Sequence, residues 1–124
     1  MEAILYESEL KVMQCIWERG DTQAVELVQI LGEQVGWNKN TTYTVLKKMV
    51  AKGYIERIDP GFVCHALVSR EDVEKAHTGE LVDKLYGGSH MMFLSAFVKN
   101  HDLSMDDMDQ LKSLIDSWSK EDGT

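Results

Sequence analysis

The residues in this sequence whose side chains are best suited to bind a ligand lie between Trp37 and Gly53, where polar and basic side chains recur without a carboxylate. Projected as a helix at about 100° per residue, they separate into two faces. The apolar face comprises Thr42, Val45, Leu46, Met49 and Val50. The opposite face comprises Asn40, Thr44, Lys47 and Lys48, flanked by Thr41 and Tyr43. A solvated helix usually mixes both signs of charge, so an acid-free face in a chain with 21 acidic residues indicates a function.

Side chains of this kind are the ones that recognise DNA from a helix in the major groove. An asparagine can bond adenine bidentately, threonines offer a hydroxyl or a methyl contact to thymine, and lysines reach guanine edges or phosphates. Tyr43 can bond a phosphate while packing on sugars. The candidate DNA-binding residues are Thr22, Lys39, Asn40, Thr41, Tyr43, Thr44, Lys47, Lys48 and Arg57. A purely structural interpretation stays open, with a lysine-decorated solvated helix and with Thr22 capping the next helix.

Two helices are expected to precede this face. The first begins after Ser8, a good N-cap residue, and ends at Gly20. Its buried stripe is Leu10, Met13, Ile16 and Trp17. Asp21-Thr22 is predicted to cap the second helix, which ends at Gly32 and Gly36.

The third helix and a hairpin complete the predicted domain. Asn38 is the expected cap of this helix and Gly53 its C-terminal stop. Residues 54–58 and 62–68 alternate like strands, and Asp59-Pro60-Gly61 between them has strong turn chemistry. Three short helices followed by a hairpin predict a winged helix-turn-helix over residues 1–68, in a fold that is mainly α with a small β-hairpin.

Residues 69–124 are predicted to form a helical dimerisation arm. Ser69 and Ser104 each begin a capping-box pattern, and residues 91–98 are apolar nearly all round. The last helix carries apolar residues at spacings of 3, 4 and 3, which is typical of a short coiled coil. The candidate interface residues are Leu85, Phe93, Phe97, Met108, Leu111, Ile115 and Trp118. The alternative is a monomer in which this segment folds back on residues 1–68.

The net charge of −8 argues against a polyanionic partner, but its distribution reverses that argument. Residues 1–68 carry 7 basic and 9 acidic side chains, and residues 69–124 carry 6 and 12. Within residues 37–57, 5 basic side chains stand against 1 acidic one, a local charge of +4. A ligand meets this local field first.

Composition also indicates where in the cell the protein is expected to be. No apolar run approaches the roughly 20 residues that span a bilayer, and the first residues lack the pattern of a signal peptide. We therefore expect no membrane partner. Two cysteines cannot build a disulfide framework, so a reducing cytoplasm is the expected location.

Enzymatic and metal-binding patterns are weak, so we expect no enzyme, no cofactor and no metal. Neither a G-x-S-x-G elbow nor a phosphate-binding glycine loop occurs in the sequence. The acidic residues of 102–109 are explained by the dipole of the helix that begins there. Cys64 and His65 are adjacent on a strand and should point to opposite faces. Cys15 is expected in the core, and whether Cys64 is a sensor stays open.

The sequence resembles the penicillinase-repressor family of winged-helix transcriptional repressors. The resemblance lies in Glu7-Ser8-Glu9-Leu10-Lys11-Val12-Met13, in Ile16-Trp17 and in the Trp-x-x-x-Thr-x-x-Thr-x-Leu segment that begins at Trp37. It covers most of residues 7–118. It implies a homodimer that binds a palindromic operator through Thr41, Thr44 and their neighbours, dimerises through its C-terminal helices and is released by a signal.

The release signal is where this sequence departs from that family. The resemblance to members that respond to β-lactams implies a switch in which the arm is cleaved at an Asn-Phe bond. Such a switch implies a sensor or protease as partner. Here the matching position has Ala96-Phe97. Copper-responsive members carry a cysteine-rich tail, whereas residues 120–124 contain no cysteine. Relatives tend to place a basic residue after the turn glycine, whereas this chain has Phe62 close to Asp59, so the wing is expected to add little phosphate affinity.

A second hypothesis differs in class. The chain could be a winged-helix protein–protein interaction module whose acidic C-terminal half recruits a partner and which does not recognise DNA. Steep salt dependence of binding would separate the two hypotheses, because only phosphate neutralisation releases many counterions.

Overall fold

The computed structural model describes residues 3–121 of the chain, with side chains over residues 3–119. This part contains six helices and three short strands and divides into two compact units, Met1–Glu80 and Leu81–Thr124. The first unit continues 12 residues beyond Val68, the predicted end of the winged helix. The expected class, a winged helix followed by C-terminal helices, is confirmed.

Helix α1 spans Glu7–Arg19 and begins earlier than its sequence indicates. Ser8 is not its N-cap, and that prediction is wrong. Tyr6 occupies the cap position because its backbone N–H donates to the Glu9 carboxylate at 2.8 Å. The helix ends before Gly20, as expected.

Helix α2 spans Ala24–Gln34, and the predicted Asp21-Thr22 cap is also wrong. Gln23 is the cap, because Thr22–Gln23 form a short strand, β1. Gly32 lies inside the helix rather than ending it.

Helix α3 spans Lys39–Lys52, as predicted. The Asn38 side chain accepts a hydrogen bond from the Thr41 backbone N–H at 2.8 Å and so caps the first turn. At the other end Gly53 adopts the left-handed conformation, with φ of 80°, in which side chains are disfavoured.

Strands β2, Ile55–Ile58, and β3, Val63–Ala66, form the predicted hairpin, which we call the wing (residues 55–66). The sheet has a third strand that the sequence did not reveal. β1 pairs antiparallel with β3, giving the order β1-β3-β2. β1 ties the start of α2 to the wing, because Thr22 is paired with Cys64 and Gln23 with Val63.

The core of the first unit lies between these helices and the sheet. Its most deeply buried side chains are Val12, Met13, Ile16, Leu27, Leu31, Leu46, Met49, Ile55 and Cys64. The Trp17 indole N–H donates a hydrogen bond to the Val68 carbonyl at 3.0 Å and so joins α1 to the segment after the wing.

Helix α4, Arg70–Tyr86, begins in the first unit. The Ser69 hydroxyl accepts from the Asp72 backbone N–H at 3.0 Å, which confirms a helix start at this position. Val73 is buried in the core, and His77 Nε2 accepts from the Leu5 backbone N–H at 3.0 Å. These contacts explain why the first unit continues past Val68.

The second unit contains the end of α4 together with α5, His90–Asn100, and α6, Met105–Glu121. Ser89 and Ser104 cap these two helices through their hydroxyl groups. Phe93 packs edge-on to Tyr86 at 5.6 Å between ring centroids. No residue of α5 is buried within this chain, although the helix is apolar nearly all round. Helices in the described part of the chain are too short or too polar to cross a membrane.

Candidate nucleic-acid interface

The exposed face of α3 is the one predicted from sequence. Thr42, Leu46 and Met49 are buried against the core, and Val45 and Val50 are half-buried. The side chains on the opposite side are exposed, namely Lys39, Asn40, Thr41, Thr44, Lys47 and Lys48. The structure therefore brings six of the nine candidate DNA-binding residues onto one open helical surface.

Cations around this helix fall into two classes. Among the described residues, Lys39, Lys47 and Lys48 form no ion pair. Lys52 and Arg57 are instead each held by a carboxylate within the same unit. The free positive charge near α3 thus lies on its exposed face.

Tyr43 lies at the boundary between α3 and the wing. Its side chain is half-buried, and its ring centroid is 5.8 Å from that of Phe62, with the ring planes at 58°. The ring is therefore fixed by packing, which positions a phenol at the edge of the exposed face.

Arg57 lies on the wing, where it forms an exposed ion pair with Asp59. Its Nε donates to the two Asp59 carboxylate oxygens at 3.1 and 3.2 Å, and its guanidinium carbon lies 4.0 Å from the Phe62 ring centroid. Asp59 also accepts from the Phe62 backbone N–H at 3.3 Å. Phe62 itself is buried beneath this pair rather than exposed at the tip. The weak contribution of the wing to phosphate affinity stays a prediction.

Thr22 differs from the other candidates because its side chain faces inward. It is only 3% exposed, and its hydroxyl donates to the Gly20 carbonyl at 2.8 Å. The Thr22 side chain thus stabilises the turn into β1 and does not lie free at the surface.

Glu9 is a buried acidic residue that sequence reasoning did not single out. Its carboxylate accepts from Lys52 Nζ at 2.7 Å, and this hydrogen bond raises the pKa of Lys52. The two residues are 43 positions apart, so no local pattern could reveal the pair.

Cys64 and His65 point to opposite faces of β3, as strand alternation predicts. Cys64 is fully buried, and desolvation raises the pKa of its thiol to about 11. His65 is exposed, and a 2.7 Å hydrogen bond between its Nδ1 and Asp21 raises its pKa. Within residues 3–119, no cluster of three or more His, Cys, Asp or Glu side chains could hold a metal ion. Burial also confirms the expected core position of Cys15.

Known proteins similar to this chain include a methicillin resistance regulatory protein and two penicillinase repressors. The methicillin resistance regulatory protein MecI of Staphylococcus aureus (strain N315) is 26% identical over 110 residues, 87% of this chain and 89% of the relative. A penicillinase repressor of Bacillus licheniformis is 22% identical over 112 residues, 89% of this chain and 88% of the relative. A penicillinase repressor of Staphylococcus aureus is 23% identical over 115 residues, 91% of each chain.

A family model, that of the penicillinase repressor, matches residues 5–117. This match includes the winged helix and nearly all of the C-terminal helices described above. The chain therefore belongs to the penicillinase repressor family, whose members are DNA-binding transcriptional repressors and not enzymes.

Proposed function

We propose that this protein is a homodimeric repressor that binds a palindromic DNA operator by placing α3 of each copy in the major groove. The observation that supports the proposal most strongly is which basic side chains near α3 form ion pairs and which do not. Lys39, Lys47 and Lys48 are exposed and form no ion pair within the described residues, whereas Lys52 and Arg57 each form an ion pair with a carboxylate. Free positive charge of this kind supplies the phosphate contacts on which DNA affinity depends.

Polar side chains on the same face supply sequence recognition in this proposal. Asn40 pairs with an adenine edge, and Thr41 and Thr44 contact bases through hydroxyl or methyl groups. Lys47 and Lys48 reach phosphates or guanine edges, and the Tyr43 phenol bonds a phosphate. Two copies related by a twofold axis would contact half-sites about 34–36 Å apart, or a multiple of that distance.

Dimerisation is proposed to occur through the second unit. Its helices expose large apolar side chains that a second copy would cover, with Leu85, Phe97, Ile115 and Trp118 each more than 40% exposed. Phe93, Met108 and Leu111 are half-buried beside them. A dimer presents its second α3 at high effective concentration, so a weak half-site affinity suffices for tight operator binding.

Release of the operator is proposed to require a signal acting on this arm, through a sensor or protease partner. The Ala96-Phe97 bond, which matches the cleaved position of the β-lactam-responsive type, lies within α5. A repressor that acts on the genome would work in the cytoplasm, where we place the protein. The residues after Glu121, which lack the cysteines of a metal-binding tail, lie outside the described part of the chain.

The experiment that tests this function is selection from a random duplex DNA library with the purified protein at two salt concentrations. We expect recovery of a palindrome whose affinity falls steeply as salt rises. Absence of any enriched sequence at both salt concentrations would contradict the proposal and favour the protein–protein interaction module.

A further inference from the structure

The buried carboxylate of Glu9 joins the start of α1 to the end of α3. Its side chain is only 4% exposed, and both of its oxygens are used. One oxygen accepts from the Tyr6 backbone N–H at 2.8 Å, and the other accepts from Lys52 Nζ at 2.7 Å. The Lys52 ammonium also lies 4.5 Å from the centroid of the Tyr6 ring. These contacts hold the last turn of α3 in place.

Lys52 would otherwise extend the row of free cations on α3. It lies four residues after Lys48, so the two side chains project from the same side of the helix one turn apart. Its side chain is 37% exposed and long enough to swing towards solvent, yet it points to Glu9. The pair thus removes one positive charge from the cationic row.

Only the carboxylate of this pair is buried, because the Glu9 side chain is 4% exposed and the Lys52 side chain 37% exposed. The desolvation of the carboxylate offsets much of the attraction, so the pair adds little net stability. In some proteins such pairs serve to fix one geometry. The Glu9–Lys52 pair connects the helix that we propose enters the groove to α1, an element with no proposed DNA contact. Its position suits it to setting the angle of α3 rather than to binding DNA.

We propose that Glu9 is a positioning residue for operator recognition, which fixes the C-terminal end of α3 through Lys52 and withholds that lysine from DNA phosphates. The inference rests on the proposed function, since it concerns how α3 is presented to an operator. It separates specific from non-specific binding: Glu9 favours the first by orienting α3 and limits the second by neutralising a cation.

The variant Glu9→Gln tests both effects. The amide keeps the size of the side chain but loses the charge that holds Lys52. We expect operator affinity to fall about tenfold, the loss of one well-placed base contact. Affinity for random duplex DNA should not fall, and its logarithmic salt slope should steepen by about 0.9 for each released lysine that reaches a phosphate, or about 1.8 per dimer.

Glu7→Gln is the matched control, because it makes the same change of charge on the same helix. The Glu7 side chain is 88% exposed, and its carboxylate lies 3.8 Å from the Lys11 ammonium on the same helix. We expect it to leave both affinities and the salt slope unchanged. An equal effect of the two variants would overturn the proposal, since net charge alone would then explain it.

A measurement on the unaltered protein keeps the proposal testable if Glu9→Gln does not fold. In NMR spectra of ¹⁵N-lysine-labelled protein, random duplex DNA should shift the side-chain ammonium signal of Lys47 and leave that of Lys52 in place. A Lys52 signal that moves together with the Lys47 signal would overturn the inference.

The proposed function and the role of Glu9 can be tested separately. If the unaltered protein shows no preference for any DNA sequence, the proposed function fails and the role of Glu9 fails with it. If it binds an operator specifically and Glu9→Gln keeps the same specificity ratio and salt slope, only the role of Glu9 is wrong.

Discussion

The ring of Tyr43 on α3 packs against the ring of Phe62 on the wing, with 5.8 Å between their centroids. Phe62 also contacts Arg57, whose guanidinium carbon lies 4.0 Å from the centroid of the Phe62 ring. Contacts among these three side chains thereby link the exposed face of α3 to the wing, so the two elements are expected to keep a fixed relative orientation.

Phe62→Leu should weaken this link while keeping the site apolar. The loss of the aromatic pair and of the cation–π contact should lower the free energy of unfolding by about 1–2 kcal/mol. Chemical denaturation measures the change. Tyr43→Phe is the control, because it keeps the ring and should leave stability within about 0.5 kcal/mol of the unaltered protein. Equal stability of Phe62→Leu and the unaltered protein would show that the contacts of Phe62 with Tyr43 and Arg57 do not form.

Ile115→Asp should separate the proposed dimer. Ile115 is 54% exposed in the single chain, so covering the rest of its side chain contributes about 1 kcal/mol in each copy, roughly half of the value for full burial. Both copies lose this contribution and each must also bury a carboxylate, so the dimer dissociation constant should rise roughly 100-fold or more. Sedimentation velocity measures the change. Ser113→Asp, which lies on the opposite side of α6, should remain dimeric, and a dimer of unchanged affinity in Ile115→Asp would contradict the proposed interface.

Cys64 should be inert towards alkylation in the folded protein. Its thiol is fully buried and its pKa is raised to about 11, so almost no thiolate is present at pH 8. Iodoacetamide labelling followed by mass spectrometry should modify Cys64 only after denaturation. Burial raises the pKa of Cys15 as well, and the same protection is expected there. Rapid labelling of native Cys64 at pH 8 would instead support a sensor role.

The pair of His65 and Asp21 should make stability depend on pH. The hydrogen bond to Asp21 raises the pKa of His65 above its usual value of about 6.5. A raised pKa means that the contribution is fully present below about pH 6.5 and is lost as pH rises through the folded-state pKa.

Asp21→Asn should therefore bring the NMR titration of His65 down towards its usual value. The difference in melting temperature between this variant and the unaltered protein should shrink as pH rises above neutrality. A His65 titration that is identical in both proteins would show that the ion pair is absent in solution.

Local chemistry explains which parts of the fold were predictable. The Asn38 cap, the Gly53 stop and the two faces of α3 depend on residues within one helix, and each prediction is confirmed. The same is true of the turn at residues 59–61, which joins the two strands of the wing. Strong local signals of this type require no knowledge of tertiary contacts.

The two wrong caps have different causes. Ser8 is a good cap residue, but a local capping box between Tyr6 and Glu9 places the start of the helix at Glu7. Thr22 is also a good cap residue, but long-range pairing with β3 draws it into a strand. A two-residue strand has no periodicity to detect. The Glu9–Lys52 contact could not be predicted from the sequence either, because its two residues come together only in the folded chain.

The measurement that tests the central claim most directly is the salt dependence of operator binding by Lys47→Ala. If Lys47 contacts a phosphate in each half-site, affinity should fall and the logarithmic salt slope should become shallower by about 1.8 per dimer. Lys75→Ala on α4, with the same change of charge at an exposed position outside both proposed interfaces, should bind like the unaltered protein. An affinity and slope unchanged by Lys47→Ala would contradict the claim that the exposed face of α3 binds the operator.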